Sequence, residues 1–296
     1  MAAEVLNVTA AKYHKDPGDG VPSLTQSTAH TIISQSLLHA WTFHPRLGGK
    51  QRPSTKAKDG GSLIHKLILG KGADIAVLGV KDYRSNAARE ARDNAIALGL
   101  IPVKEKDYEE AEHTATILKK RLADDYGIVF DGESEVAFRW QEEGVNGPVK
   151  CRAMMDHVKL SEGMIYDVKT IKEAHPKTCA AHMISYGYDI QNCAYTSCIE
   201  HVEPDLQGRV DMVFLFVEVK EPYSIVPARP SGMMRELGAM KWKRAVKLWE
   251  RALATNKWPG YATEIIPLEP MPWHLSDQIV ADAEDEEEED EEETET

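Results

Sequence analysis

The spacing of apolar residues changes several times along the chain, and each change marks an element. Between residues 24 and 44, Ile32, Ile33, Leu37, Leu38 and Trp41 recur at roughly helical spacing. This predicts one helix ending near His44-Pro45, because proline disfavours helix in the residue before it. The stretch GGKQRPSTKAKDGG is glycine-rich and basic and reads as an exposed loop, and GSLIHKLILG reads as a short apolar helix carrying His65 and Lys66. Alternation and β-branched content make ADIAVLGV a strand. Residues 85 to 98 read as a helix stopped by Gly99, and a second helix runs from about 106 to 126, with Asp107 or a neighbour as cap and Gly127 at its end.

Beyond Gly127 the period shortens to two. Residues 133–140, 149–160 and 163–170 read as three strands of a meander, interrupted at EEGVNGP and SEG. One long helical segment over 176–201 follows, then an apolar strand over 210–219, a pairing partner in EPYSIVPA, and an amphipathic Lys/Arg-rich helix over 231–255. This order implies an α/β fold with a central mixed β-sheet flanked by helices. Residues 1–22 are polar and contain the breaker-rich KDPGDGVP, which predicts an irregular arm; 23–276 form a single domain. Residues 277–296 cannot bury apolar surface and are expected to be a disordered acidic tail.

Composition adds limits. The 296 residues are 42% hydrophobic, enough for a substantial core. No apolar run approaches the roughly 20 residues needed to cross a bilayer, and MAAEVLNVTAAKYHKD lacks a basic-then-apolar signal pattern. The expectation is a soluble, cytoplasmic protein without a membrane partner. Four cysteines, at 151, 179, 193 and 198, are too few for a disulfide framework in such a chain and read as reduced, buried thiols. The net charge of −13 is local: residues 277–296 hold 13 of the 48 acidic side chains and no Lys or Arg, leaving 35 acids against 35 bases in 1–276. Such a balance neither supports nor excludes nucleic acid.

The candidate chemistry lies in DHVKLSEGMIYDVK. Asp156 is followed eleven positions later by Asp167, and Lys169 comes two further on. Two carboxylates and an amine carried by strands around a tight turn suit metal-assisted phosphodiester hydrolysis, in which acids hold Mg2+ or Mn2+ and the lysine orients a water or neutralises charge. In a strand, Asp167 and Lys169 share a face and Val168 takes the other. On that pattern alone, an edge strand showing Asp and Lys to water explains the residues equally well.

The next helix separates these readings, since Gln191 and Tyr195 lie four apart on one face. With DVKT, this Q-x-x-x-Y helix resembles the RecB-type branch of the PD-(D/E)XK nuclease superfamily. The segments SLLHAWTFHPRLGG and GSLIHKLILG, and the order CRAMMD, YDVKT, Y-x-x-Q-x-x-x-Y, are similar to the exonuclease VIII (RecE-type) nuclease domain and its phage relatives over roughly residues 24 to 255. The resemblance implies the restriction-endonuclease-like fold, with Asp156 and Asp167 as metal-binding acids and the Val168 carbonyl as a further ligand. Lys169 would be the catalytic lysine, Gln191 and Tyr195 would contact the scissile phosphate or orient the lysine, and His65, in G-x-x-x-H, would sit beside the metal. Glu135, with Glu133 as an equal competitor, is a candidate extra carboxylate.

Arg152 is a candidate phosphate ligand, although Met154-Met155 replace the basic residue and proline that the family pattern places before the first acid. Lys50, Arg52, Lys56 and Lys58, or Arg235, Lys241, Lys243, Arg244 and Lys247, could track a DNA backbone, and Trp41 and Trp242 could stack on bases. By resemblance the activity is a Mg2+-dependent 5′–3′ exonuclease on ends of linear double-stranded DNA, in phage-type recombination within a bacterial or phage-infected cell. A single-strand annealing recombinase is then the partner, and the enzyme a homo-oligomer. The alternatives are another nuclease of the superfamily, endonucleolytic or of 3′–5′ polarity, and a non-catalytic DNA-binding or interaction module.

Overall fold

The computed structural model of the chain describes residues 3–18, 20–50, 56–71, 74–276 and 278–279, with the side chains of residues 56–62 outside that description. The chain divides into two units, Met1–Gly260 and Tyr261–Thr296, so the boundary falls before the expected residue 276. The acidic tail lies almost entirely outside the described residues.

A six-stranded mixed sheet organises the first unit. Its strands are β1 (Glu4–Leu6), β4 (Glu133–Glu143), β5 (Pro148–Lys159), β6 (Met164–Ile171), β7 (Asp211–Glu218) and β8 (Ile225–Ala228), side by side in that order. All neighbours are antiparallel except β6 and β7, which run parallel from Met164 opposite Asp211 to Ile171 opposite Glu218. A separate parallel pair joins β2 (Ile75–Leu78) to β3 (Ile101–Lys104), a strand the sequence reading did not contain.

Helices cover both faces of the large sheet, and β7 shows why. Met212, Phe214 and Phe216 enter one core, while Val213, Leu215 and Val217 enter the other. A strand buried on both sides must be apolar at every position rather than at alternate ones. The first core receives α2 (Gln26–Ser34), α3 (Leu37–Phe43), α8 (Tyr188–Val202) and α9 (Gly232–Thr255), the second α4 (Lys56–Leu69) and α6 (Glu105–Tyr126). The remaining helices are α1 (Ala10–Tyr13), α5 (Asn86–Ala97) and α7 (Pro176–Ser185).

Several boundaries differ from the sequence reading. The helix expected over 24–44 is two, since Gln35 leaves helical geometry and the Ser36 side chain accepts the His39 N–H to cap α3. The helix expected over 176–201 is likewise broken, at Gly187, whose φ of 71° suits glycine. Helix α4 begins inside the segment read as a loop. Residues 1–22 are no irregular arm, because β1 pairs with β4 and α1 follows it.

Candidate active site

The sheet opens where β5 and β6 part. Their pairing runs through Lys159–Met164, Val158–Ile165 and His157–Tyr166 and goes no further. The next residues on each strand are Asp156 and Asp167. At the opening the Asp156 carboxylate replaces the lost strand partner, its Oδ2 accepting the Val168 N–H at 2.8 Å. The same oxygen lies 2.7 Å from His65 Nε2, delivered by α4, whose Nδ1 is 3.4 Å from Glu135 Oε1 on β4. Three consecutive strands and the distant helix α4 thus meet at one point.

Glu135 has a φ of 55°, in the left-handed region that side-chain-bearing residues rarely occupy. The cost is tolerated where it aims the carboxylate at His65 and Asp156. Glu133, two residues earlier and equally acceptable by alternation, is absent from the cluster formed by His65, Glu135 and Asp156.

On β6, alternation works as expected. Val168 enters the second core, while Asp167, 1% exposed, faces α8. Lys169 Nζ lies 2.5 Å from Asp167 Oδ1, and Gln191 Nε2 donates to Asp167 Oδ2. Gln191 therefore orients the acid that holds the lysine. The Tyr195 hydroxyl donates to the Met154 carbonyl at 2.8 Å, bracing β5 two residues before Asp156. Tyr188, one turn before Gln191, was not singled out from sequence. The Lys169 ammonium sits 4.4 Å from the centre of its ring, a cation–π contact, although Y-x-x-Q spacing already placed it on this face.

Electrostatics separate the two aspartates. Burial pushes Asp167 up to about 6, reinforced by the Asp156 charge and opposed by Lys169 and His65. Burial also works against ionised Asp156, but the His65 charge and hydrogen bond, Lys169 and the Val168 N–H together hold it below the usual carboxylate range. His65 is half-buried, which works against its charge, yet the acids around it, Asp156 foremost, raise it to about 9. Burial raises Glu135. Lys169 stays charged because Asp167 and Asp156 outweigh its desolvation.

These residues fit a divalent cation. His65, Glu135 and Asp156 each offer one ligand atom, all within 4.8 Å of one another. Two carboxylate oxygens and one imidazole nitrogen make a donor set suited to a divalent cation.

Other expected site residues fall elsewhere. Arg152 is 5% exposed and turned toward the N-terminal segment, with Nη1 3.1 Å from Asp16 Oδ1 and 2.7 Å from Ser23 Oγ. Its guanidinium ties that segment to β5 and also lines the cavity beside Glu135 and Asp156. Trp242 cannot stack on bases: it is 2% exposed, packed on Trp140, and its indole N–H donates to Glu142. Lys241 is engaged with Asp189 at 2.6 Å, whereas Arg235, Lys243, Arg244 and Lys247 are exposed. Lys50 is exposed; Arg52 and the side chains of Lys56 and Lys58 lie outside the described residues. The four cysteines are free thiols, three of them buried.

A mixed sheet that opens between two acid-bearing strands, with D-x-K on the second, defines the PD-(D/E)XK architecture. The chain belongs to the family described as "PDDEXK-like domain of unknown function" (DUF3799), whose model matches residues 45–267. Its fold is similar to the crystal structure of a "Putative exonuclease" from Eubacterium rectale, at 11% identity and a TM-score of 0.54, covering 90% of this chain and 96% of that one. A "phage related exonuclease" from Haemophilus somnus 129PT gives 13% identity, 79% and 96% coverage and a TM-score of 0.35. No curated protein matches the chain.

Proposed function

We propose that the protein is a metal-dependent deoxyribonuclease acting exonucleolytically, 5′ to 3′, on linear double-stranded DNA in phage-type homologous recombination, beside a single-strand annealing partner and as a homo-oligomer. The observation that carries the nuclease reading is the convergence of His65, Glu135, Asp156, Asp167 and Lys169 where β5 and β6 part. Asp156, Glu135 and His65 would hold Mg2+, or Mn2+ in its place, with Asp167 and the Val168 carbonyl as further ligands. A divalent ion there supplies Lewis-acid stabilisation of a phosphodiester under attack.

The chain's own groups do the rest. Lys169, fixed by Asp167 and Tyr188, presents its ammonium to orient the attacking water and offset charge developing on the phosphate. Gln191 keeps Asp167 facing the lysine, and Tyr195 keeps β5 in register with α8. Preference for an end is supported by a cavity of about 500 Å³ beside Glu135 and Asp156, which also reaches Thr25, Ser27 and Thr28 at the start of α2. Hydroxyls at a helix N-terminus suit a terminal phosphate. The description of the Eubacterium rectale structure as a "Putative exonuclease" agrees with this reading.

Linear, nicked and circular duplexes, labelled at either end and incubated with Mg2+, test it. The proposal requires loss of the 5′ label as mononucleotide from linear DNA while circles persist. Cutting of circles would replace the exonuclease reading with an endonuclease, and prior loss of the 3′ label would reverse the polarity.

A further inference from the structure

Beyond the acids and the lysine, an aromatic ladder leads from the core to the surface at the candidate site. Phe214 of β7 is fully buried, and Tyr188 stacks on it with centroids 5.7 Å apart and planes 22° apart. Tyr186 stacks on Tyr188 in turn, at 5.8 Å and 26°. His182 and Tyr186 make a T-shaped contact, with centroids 4.8 Å apart and planes at 79°. Tyr186 is 56% exposed, so the outermost ring offers area to solvent while its neighbour touches Lys169.

The break between α7 and α8 builds this arrangement. Gly187 adopts a φ of 71°, and a Cβ there would lie 2.5 Å from the His30 ring, so the backbone is wedged against α2. The sharp turn places residues 186 and 188 with their rings parallel, which an uninterrupted helix would not do, since positions two apart point to different sides. Hydrophobic burial does not explain a tyrosine left half in water, and stacked aromatics beside a phosphodiester-cleaving site are what an unstacked base would use.

We propose that Tyr186, backed by Tyr188, is a base-stacking subsite for a nucleotide next to the bond being cleaved, the base having left its own duplex stack. This rests on the nuclease reading for its substrate, DNA. The ladder couples the two tasks: a base seated on Tyr186 fixes the strand at a set distance from the ring that holds Lys169. Recognition would be tolerant of sequence, because every base presents a π-face.

The test uses the full-length protein with Ca2+ in place of Mg2+, and a fluorescent linear duplex with a few unpaired nucleotides on each strand at one end. A second duplex has the same backbone with abasic residues at those positions. Wild type should bind the base-bearing end about tenfold more tightly, the scale of a single base–aromatic stack. Tyr186→Leu should bind both ends equally at the abasic level, while Tyr186→Phe should keep the preference. Thermal melting checks that the variants remain folded. A wild type without the preference, or Tyr186→Leu retaining it, would overturn the subsite. Cleavage is read separately in Mg2+: base-dependent binding without any cleavage would sustain the subsite and defeat the nuclease reading.

Discussion

Glu135 offers a direct way to measure what the candidate site costs the fold. Its φ of 55° puts a side-chain-bearing residue in the left-handed region within a strand, at a cost of about 1–2 kcal/mol. Its carboxylate is also held beside Asp156, and burial raises its pKa. Glu135→Ala removes the carboxylate and keeps the strained backbone, whereas Glu135→Gly removes both. Their difference therefore isolates the backbone. Glycine relieves about 1–2 kcal/mol and returns about 0.5–1 kcal/mol through its greater freedom in the unfolded chain. The glycine variant should exceed the alanine variant by up to roughly 1.5 kcal/mol, centred on about 0.75 kcal/mol, the reverse of their order in an ordinary strand. At about 2–4 °C per kcal/mol for a chain of this size, melting should differ by about 2–3 °C and by no more than about 6 °C. Urea unfolding and calorimetry in EDTA would read the difference, and Mn2+ affinity should fall alike in both variants. An alanine variant more stable than the glycine variant, their order in an ordinary strand, would refute the idea that backbone strain is held at the site.

Two further predictions concern the scaffold. Burial lowers His44 to about 4, with Asp16 opposing and Arg152 and Arg46 adding to the effect, and its neutral ring is satisfied by the Ser23 carbonyl at Nε2 and the Arg46 N–H at Nδ1. The unfolded chain takes up this proton near pH 6.5 and the folded chain only near 4, so the contribution is complete above 6.5 and is lost as pH falls to 4, by about 3 kcal/mol in all. His44→Gln should flatten that part of the stability–pH curve, and parallel curves for variant and wild type would contradict it. Gly238 of α9 lies against α8, and a Cβ would come 2.1 Å from the Asp189 carbonyl oxygen. Gly238→Ala should cost about 1–3 kcal/mol by overpacking, read as a lower Tm; an unchanged Tm would count against this close helix contact.

Much of this was legible because it depends on periodicity. The three-strand meander follows from alternation, and so does the division of β6 into Asp167 and Lys169 on one face and Val168 on the other. The spacing of Gln191 and Tyr195 places both among the buried residues of α8, facing the sheet. What stayed hidden is set by contacts across the fold. Apolar periodicity passes through Gln35–Ser36 and Tyr186–Gly187 without a mark, and the breaks come from a serine cap and from a glycine pressed on His30. Alternation could not choose between Glu133 and Glu135, which a backbone turn decides. An amphipathic helix leaves open which way Trp242 points, and Trp140 supplies the answer from a strand far away in sequence. Arg152 carried a charge that suggested phosphate, and only the folded N-terminal segment revealed Asp16 as its partner.

The central claim is that the groups gathered where β5 and β6 part cut DNA with the help of a divalent ion. It is tested most directly by titrating Mg2+ against wild type and Lys169→Ala on an end-labelled linear duplex, with Mn2+ binding followed by calorimetry. Wild type should be inert in EDTA and cleave as Mg2+ is added. Lys169→Ala should still fold and bind Mn2+ through His65, Glu135 and Asp156, yet lose cleavage by at least about a hundredfold, the scale of one positioned proton-transfer or charge-stabilising group. Cleavage by wild type without a divalent ion, or near-normal cleavage by Lys169→Ala, would contradict the account.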